Sequence, residues 1–166
     1  MFACGDTEVQ NTIDVLKTID LSSWVTPKLT GSMAGMFLGC SGLRTLILPD
    51  STSQTSFGAL SEDFRALFAL CIQMPSLPFS GNFGLKAKDI TRAFYDCRSL
   101  TEITLAEPQT VFGKNVEFMP RAFEECSSLK NINLSNLTNS KFKTEMSYED
   151  CLNYDNAIVS FTLPLD

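Results

Sequence analysis

The sequence contains no histidine, and its positive charges are few and scattered. Thirteen Lys and Arg stand against nineteen Asp and Glu, for a net charge of −6. Histidine is the commonest general base and metal ligand in proteins, so its absence removes most familiar catalytic and metal-binding arrangements. Nucleic acids and anionic membranes bind clustered Lys and Arg, which this sequence lacks. We therefore expect neither as a partner.

Long apolar runs and catalytic motifs are also missing. No apolar stretch approaches the ~20 residues that a transmembrane helix needs. The sequence has no glycine-rich phosphate loop and no nucleophile elbow, and the pair Glu124-Glu125 has no partner in register. We predict that the protein is not an enzyme and that it uses no cofactor and no metal ion.

The first residues do not form a recognisable export signal. Residues 1–6 have neither a basic region nor an apolar core, and they become polar at once. Residues 3–6 (ACGD) have the form of a bacterial lipoprotein stub, in which a lipidated Cys4 would open the mature chain. The alternative interpretation is a plain N-terminal cap, with Cys4 outside the repeat and exposed.

The sequence is instead organised as a repeat around its cysteines. Four of them share one pattern of apolar residues, at offsets −7, −3, 0, +3, +6 and +8 from the Cys. Two weaker copies flank these four, one centred on Ile13 and one on Cys151, whose last positions come four residues late. This makes six repeats, and such self-similarity indicates stacked units. The four central positions are Cys40, Cys71, Cys97 and Cys126.

The offsets also predict the local structure of each repeat. Offsets −7, −3 and 0 fall on one face of a short helix, and offsets +6 and +8 on one side of a strand. Each repeat is then a helix, a turn and a strand, and neighbouring repeats stack to bury their apolar side. We interpret the polar, Gly- and Pro-containing stretches between repeats, such as residues 49–63 and 106–118, as variable outer loops.

Two segments carry a resemblance to a known family. Residues 93–105 (AFYDCRSLTEITL) and 122–134 (AFEECSSLKNINL) resemble the BspA-like class of bacterial leucine-rich repeat. Residues 36–43 (MFLGCSGL) are closer to a sister variety found in bacterial surface lipoproteins. The predicted fold is an α/β leucine-rich-repeat solenoid of about six turns, with a parallel sheet on the concave face and short helices on the other side. We predict one domain over residues 1–166, with an N-terminal cap at 1–12 and repeats at 13–163.

The resemblance also implies a location and a class of function. Relatives of this kind are surface proteins that bind host proteins, extracellular matrix or other cells. We therefore expect a non-catalytic binding or adhesion module of a bacterial cell-surface protein, extracellular if the chain is a mature fragment. The alternative is a structural or receptor-binding component of a phage particle or another large assembly.

The candidate binding residues are the strand positions that point away from the core, at offsets +5 and +7. Their small polar side chains suit a protein or glycan partner, although an exposed sheet face that contacts nothing has the same composition. The same offsets place Pro78 on this face, and they place Ser160 and Thr162 there once the four-residue shift of the last repeat is allowed for. The candidates are Thr18, Asp20, Thr45, Ile47, Ser76, Glu102, Thr104, Asn131 and Asn133.

The remaining conspicuous residues are interpreted as structural. The repeat cysteines are predicted to be buried free thiols, with a strained disulfide or a zinc site as weaker alternatives. Phe at offset −3 is predicted to form a core column. Trp24 is assigned to packing over the first loop, and an exposed ligand contact is its alternative. The two glycosylation sequons, at Asn133 and Asn136, are read as coincidence.

Overall fold

The described strands are short, parallel and arranged in two sheets. The computed structural model describes residues 16–24, 30–49, 52, 57–106, 108, 110–137 and 160–162. One sheet pairs β1 with β2, and the other has the order β3-β4-β5. Every strand spans offsets +5 to +7 of its repeat, except β5, which comes four residues later. The strands are β1 (Thr18–Asp20), β2 (Thr45–Ile47), β3 (Glu102–Thr104), β4 (Asn131–Asn133) and β5 (Ser160–Thr162).

The predicted α/β solenoid, with helices opposite one concave sheet, is wrong. The described residues contain no helix, and their strands belong to two separate sheets. Offsets −7 to 0, here called the turn segment, form consecutive turns. Arg92 and Asp96, at offsets −5 and −1, have φ values of 54° and 58°, which an α-helix excludes. The same two offsets have positive φ in all four central repeats: Gly35 and Gly39, Ala66 and Leu70, Arg92 and Asp96, Arg121 and Glu125.

Backbone hydrogen bonds join each turn segment to the next one. N–H groups at alternate offsets donate to the following repeat, as Phe68 does to the Ala93 carbonyl at 2.8 Å and Leu70 to the Tyr95 carbonyl at 2.8 Å. The N–H groups at the other offsets donate to a carbonyl three residues earlier in their own turn segment, as Cys71 does to Phe68 at 3.0 Å. The turn segments thus satisfy buried backbone groups without forming a helix.

The predicted column of Phe at offset −3 is confirmed. Its four rings are fully buried. Neighbouring rings stack with centroid separations of 5.1, 6.1 and 5.4 Å and interplanar angles of 16° or less. Such stacking adds to the burial of apolar area in holding successive repeats together. The column consists of Phe37, Phe68, Phe94 and Phe123.

A second Phe column lies where the sequence analysis placed outer loops, so that interpretation was incomplete. Phe57, Phe83 and Phe112 each precede a repeat Cys by fourteen residues, and all are at most 2% exposed. Their ring centroids are 6.1 and 6.2 Å apart. Trp24 meets the Phe57 ring edge-on at 6.3 Å, which supports its packing role, although 41% of Trp24 is exposed.

Several sequence predictions fall outside the described residues. They are the N-terminal cap at 1–12, the exposed Cys4, and the repeat centres Ile13 and Cys151. The assignment of one domain to residues 1–166 stays a prediction.

Candidate binding face

The strand face, defined as the side chains at offsets +5 and +7, is solvent-exposed because side chains alternate along a strand. In β1, buried Ile19 separates exposed Thr18 and Asp20. In β3, buried Ile103 separates exposed Glu102 and Thr104. The remaining candidates are also exposed, except for half-buried Asn133: they are Thr45, Ile47, Ser76 and Asn131.

Register brings the candidates together in rows. In the first sheet Thr18 pairs with Thr45, and Asp20 pairs with Ile47. Adjacent strands lie ~4.8 Å apart, so paired positions are immediate neighbours. The second sheet aligns two rows of three: Glu102, Asn131 and Ser160, and Thr104, Asn133 and Thr162.

One candidate, Ser76, joins neither sheet, and nor does Pro78 two residues later. Ser76 and Pro78 stand at offsets +5 and +7 of the Cys71 repeat, which has no strand. The candidate face is therefore two patches, one on β1 and β2 and one on β3 and β4. Counting offsets did not predict this division.

Local hydrogen bonds fix two polar groups at the ends of the strands. Asp20 accepts a hydrogen bond from the Ser22 N–H at 2.9 Å, and hydrogen bonding to Ser22 lowers the pKa of the Asp20 carboxyl. Asn133 Oδ1 accepts hydrogen bonds from the N–H and the hydroxyl of Ser135. Asn133 therefore offers a partner its Nδ2 donors, and Asp20 offers an ionised carboxylate.

Basic residues border the face at offset +4. Lys17, Arg44 and Lys130 are all exposed there. Arg44 Nε donates to Oε1 of Gln73 at 2.9 Å. With Asp20 and Glu102 nearby in sequence, these cations give the face mixed charge, in a chain that is acidic overall.

One of the two sequon asparagines is a structural brace that sequence reasoning missed. Asn136 is 5% exposed. Its Nδ2 donates to the carbonyls of Thr110 at 2.8 Å and Phe112 at 3.0 Å, holding the preceding loop against its own repeat. The buried, doubly bonded amide supports the reading of this sequon as coincidence.

The repeat cysteines are buried free thiols, as predicted, in the four repeats that the structure describes. Burial is the main cause that raises the pKa of Cys97 well above its usual value and that of Cys126 to about 12. These thiols stay protonated and are poor nucleophiles. Three of the four repeat thiols donate to the carbonyl of the offset −3 Phe one repeat earlier: Cys71 to Phe37 at 3.2 Å, Cys97 to Phe68 at 3.2 Å and Cys126 to Phe94 at 3.1 Å.

An open depression of about 360 Å³ lies away from the strand face, and its carboxylates are already engaged. Asp63 bonds Arg65 at 2.9 Å and the Ser32 hydroxyl at 2.8 Å. The hydrogen bond from Arg65 is the main cause that lowers the pKa of Asp63 to about 2. Glu62 pairs with Lys88 at 2.8 Å. The depression is lined by Thr30, Gly31, Ser32, Leu60, Glu62, Asp63 and Lys86.

The Glu62–Lys88 ion pair and the Ser32–Asp63 hydrogen bond cross-link neighbouring repeats, whereas the Asp63–Arg65 pair lies within one repeat. Asp63 is ionised at neutral pH. Within the described ranges, no group of three or more Cys, Asp or Glu side chains is placed to hold a metal ion. Among those same residues, no helix is long and apolar enough to cross a membrane.

Comparison with protein families gives a match. The family described as the BspA type leucine-rich repeat region (6 copies) matches residues 17–116 and, overlapping them, 65–162. Comparison with curated proteins and with solved structures gives no match. BspA-type repeats are in general non-enzymatic, and in bacteria they are typically surface-associated. With nearly its whole length covered by the match, the chain belongs to the BspA-type leucine-rich repeat family.

Proposed function

We propose that the protein is a binding module of a bacterial cell surface that recognises a protein or glycan through its strand face. The observation that carries the proposal is the pair Glu102 and Asn131. They are paired in register on β3 and β4, both are exposed, and neither makes an ion pair or side-chain hydrogen bond with the described residues. Their hydrogen-bonding capacity is available to a partner.

The turn side, which is the surface formed by the turn segments, is less suited to this role because several of its charges are paired with one another. Arg98 bonds Asp96 at 2.6 Å, and Arg121 is paired with Glu124. A partner binding there would have to break these pairs or leave them in place as a neutral surface. Exposed ion pairs contribute little energy, but they reduce the net charge that a partner meets.

The composition of the strand face favours hydrogen bonding over apolar contact. Thr and Asn are its commonest residues, and Ile47, 43% exposed, is its main apolar side chain. Interfaces with protein or glycan partners use such polar groups for orientation and gain most affinity from a few central residues. We place those central residues on β3 and β4, where the register aligns four candidates.

The test is to screen the protein against immobilised extracellular proteins and a glycan array, and then to measure affinity with substituted variants. The double substitution Glu102→Ala with Asn131→Ala should weaken binding at least about tenfold. It should leave the midpoint of thermal unfolding nearly unchanged, since both side chains are exposed. Arg92→Ala, an exposed change on the turn side, is the matched control and should bind as the unsubstituted protein does.

Two outcomes contradict the proposal. One is equal affinity of the double variant and the unsubstituted protein for every ligand found. The other is the absence of micromolar binding to any protein or glycan tested.

A further inference from the structure

The Cys71 repeat interrupts the strand hydrogen bonds on both of its sides. Elsewhere the N–H at offset +5 donates to the preceding repeat, as Thr45 does to the Lys17 carbonyl at 3.0 Å. The N–H at offset +8 donates to the following repeat, as Leu105 does to the Asn133 carbonyl at 2.7 Å. Four equivalent bonds around the Cys71 repeat are missing: Ser76 to Arg44, Glu102 to Pro75, Leu48 to Pro78 and Phe79 to Thr104.

Proline at two positions is the physical cause of the interruption. Pro75 stands at offset +4, where Arg44 and Lys130 donate N–H groups to the preceding repeat at 2.9 and 3.0 Å. Pro78 stands at offset +7, the last position of what would be the strand. Proline has no N–H and fixes φ near −65°, so it is excluded from central strands. The residues of this repeat therefore cannot bridge β2 and β3.

The C-terminal end of the interrupting segment is anchored in the core. Phe79 replaces the Leu that other described repeats carry at offset +8. The centroid of its ring lies 4.5 Å from that of Phe112 and 5.1 Å from that of Phe83. The ring centroids of Phe68 and Phe94 are both 5.9 Å away. The segment is thus tied to the two Phe columns and does not pair with the strands beside it.

The turn side is continuous through the same repeat. Toward the preceding repeat, Phe37 donates to the Leu67 carbonyl at 3.0 Å. Toward the following repeat, Phe68 donates to the Ala93 carbonyl at 2.8 Å. The Cys71 and Cys97 thiols bridge the same two junctions. The turn side is therefore connected at both junctions, whereas the strand bonds at offsets +5 and +8 are missing from both. Outside the turn segments, the backbone bonds that remain lie close to them, from the Gln73 N–H to the Ser41 carbonyl at 3.1 Å and from the Ser99 N–H to the Ile72 carbonyl at 3.0 Å.

We propose that the Cys71 repeat is a hinge, about which the sheet of β1 and β2 moves relative to the sheet of β3, β4 and β5. The axis of motion lies along the bonded turn side, and the strand side opens and closes. Regions with few backbone hydrogen bonds are the ones that open at low free-energy cost, and hinges absorb motion at such points. This motion is independent of what the strand face binds.

Distances between pairs of spin labels test the hinge directly. The strand-side pair is Thr45→Cys with Asn131→Cys, and the turn-side pair is Leu38→Cys with Glu124→Cys. In both pairs the two labelled residues are three repeats apart, or about 14 Å. The labelled chain also carries Cys4→Ser and Cys151→Ser, so that neither of these cysteines takes a label. The four repeat thiols are buried and escape labelling. Dipolar electron paramagnetic resonance should give a distribution of label-to-label distances that is at least about twofold wider for the strand-side pair than for the turn-side pair.

The double substitution Pro75→Lys with Pro78→Thr is the matched variant. It places at these offsets the residue types found at Lys130 and Thr104. Strand pairing should then form, and the strand-side distribution should narrow to the width of the turn-side one. Equal widths in the unsubstituted chain overturn the proposal, and so does a strand-side width that the folded double variant leaves unchanged.

If the double variant does not fold, amide hydrogen exchange in the unsubstituted chain tests the hinge instead. In the chain with its prolines, the Glu102 amide should exchange at least about tenfold faster than that of Asn131, which occupies the same offset and donates to the Thr101 carbonyl. The Phe79 amide should likewise exchange faster than that of Leu105. Equal protection within both pairs overturns the proposal.

Discussion

Replacing Gly84 by Ala tests the second Phe column, and replacing Gly35 by Ala is its control. Both glycines have left-handed backbone, with φ of +67° and +60°. A Cβ on Gly84 would overlap Cδ2 of Phe112 and lie 2.7 Å from its Cε2, whereas a Cβ on Gly35 would have Leu38 Cβ at 3.7 Å as its nearest neighbour. The two changes thus share a backbone cost and differ in crowding.

The magnitudes follow from these two terms. Left-handed backbone costs Ala about 1–2 kcal/mol, offset by about 0.5–1 kcal/mol from the lower entropy of the unfolded chain. Gly35→Ala should therefore cost about 1 kcal/mol; Ala66, at the same offset with φ of 51°, shows that Ala fits there. Overpacking adds about 1–3 kcal/mol at Gly84. Phe112 cannot move aside easily, because Phe79 lies 4.5 Å from its centroid and Phe64 5.5 Å.

The free energy of unfolding is measured by urea denaturation, followed by the fluorescence of Trp24, the single tryptophan of the chain. We expect losses of about 2–4 kcal/mol for Gly84→Ala and about 1 kcal/mol for Gly35→Ala. In a Phe112→Ala background, Gly84→Ala should cost only as much as Gly35→Ala, because the overlap is gone. Equal costs for the two glycine changes in the unsubstituted chain would refute the packing of Phe112 against Gly84.

Three further predictions concern the core and the ion pairs. Phe94→Ala should lower the free energy of unfolding by about 3–5 kcal/mol, since it empties a fully buried ring position; an unchanged urea midpoint would contradict the repeat register. Asn136→Ala should lower the free energy of unfolding by about 2 kcal/mol, because it leaves two carbonyl acceptors without their donor. A loss below about 0.5 kcal/mol, the lower end of what one hydrogen bond contributes, would contradict the role of Asn136 as a brace. The pKa of Asp63 lies near 2 in the folded chain, below its ordinary value of 3.8, so its stabilising effect is complete above pH 3.8 and is lost as pH falls toward 2. Because Arg65 is half-exposed, we expect a loss of only about 1 kcal/mol, measured as the pH dependence of unfolding; Asp63→Asn should lack this component, and an identical pH dependence in that variant would argue against it.

The parts of the fold that follow from the sequence are those in which one physical cause produces one pattern. Apolar residues two apart, such as Ile103 and Leu105, occur where a strand buries one side, and the structure has a strand there. The burial of the Phe at offset −3 and of the repeat Cys was likewise predicted from their regular spacing, and the structure confirms it. Spacings of three and four residues have two causes, however. An α-helix produces them, and so do consecutive turns with left-handed residues four apart. Gly35 and Gly39 are the visible sign of the second cause.

The same ambiguity explains the loops and the candidate face. Phe57 and Phe83 lie in stretches that are polar on average, so average composition hid this column. Its sign in the sequence is a Phe-Gly pair at a constant distance before Cys71, Cys97 and Cys126. On the face, counting offsets assumes that every repeat has the same backbone. Pro75 and Pro78 remove the donors and the φ values on which that assumption depends. One presumed row of candidates is for this reason divided at Ser76. A partner that contacts Thr45 and Glu102 together must therefore span a junction that no strand hydrogen bond holds closed.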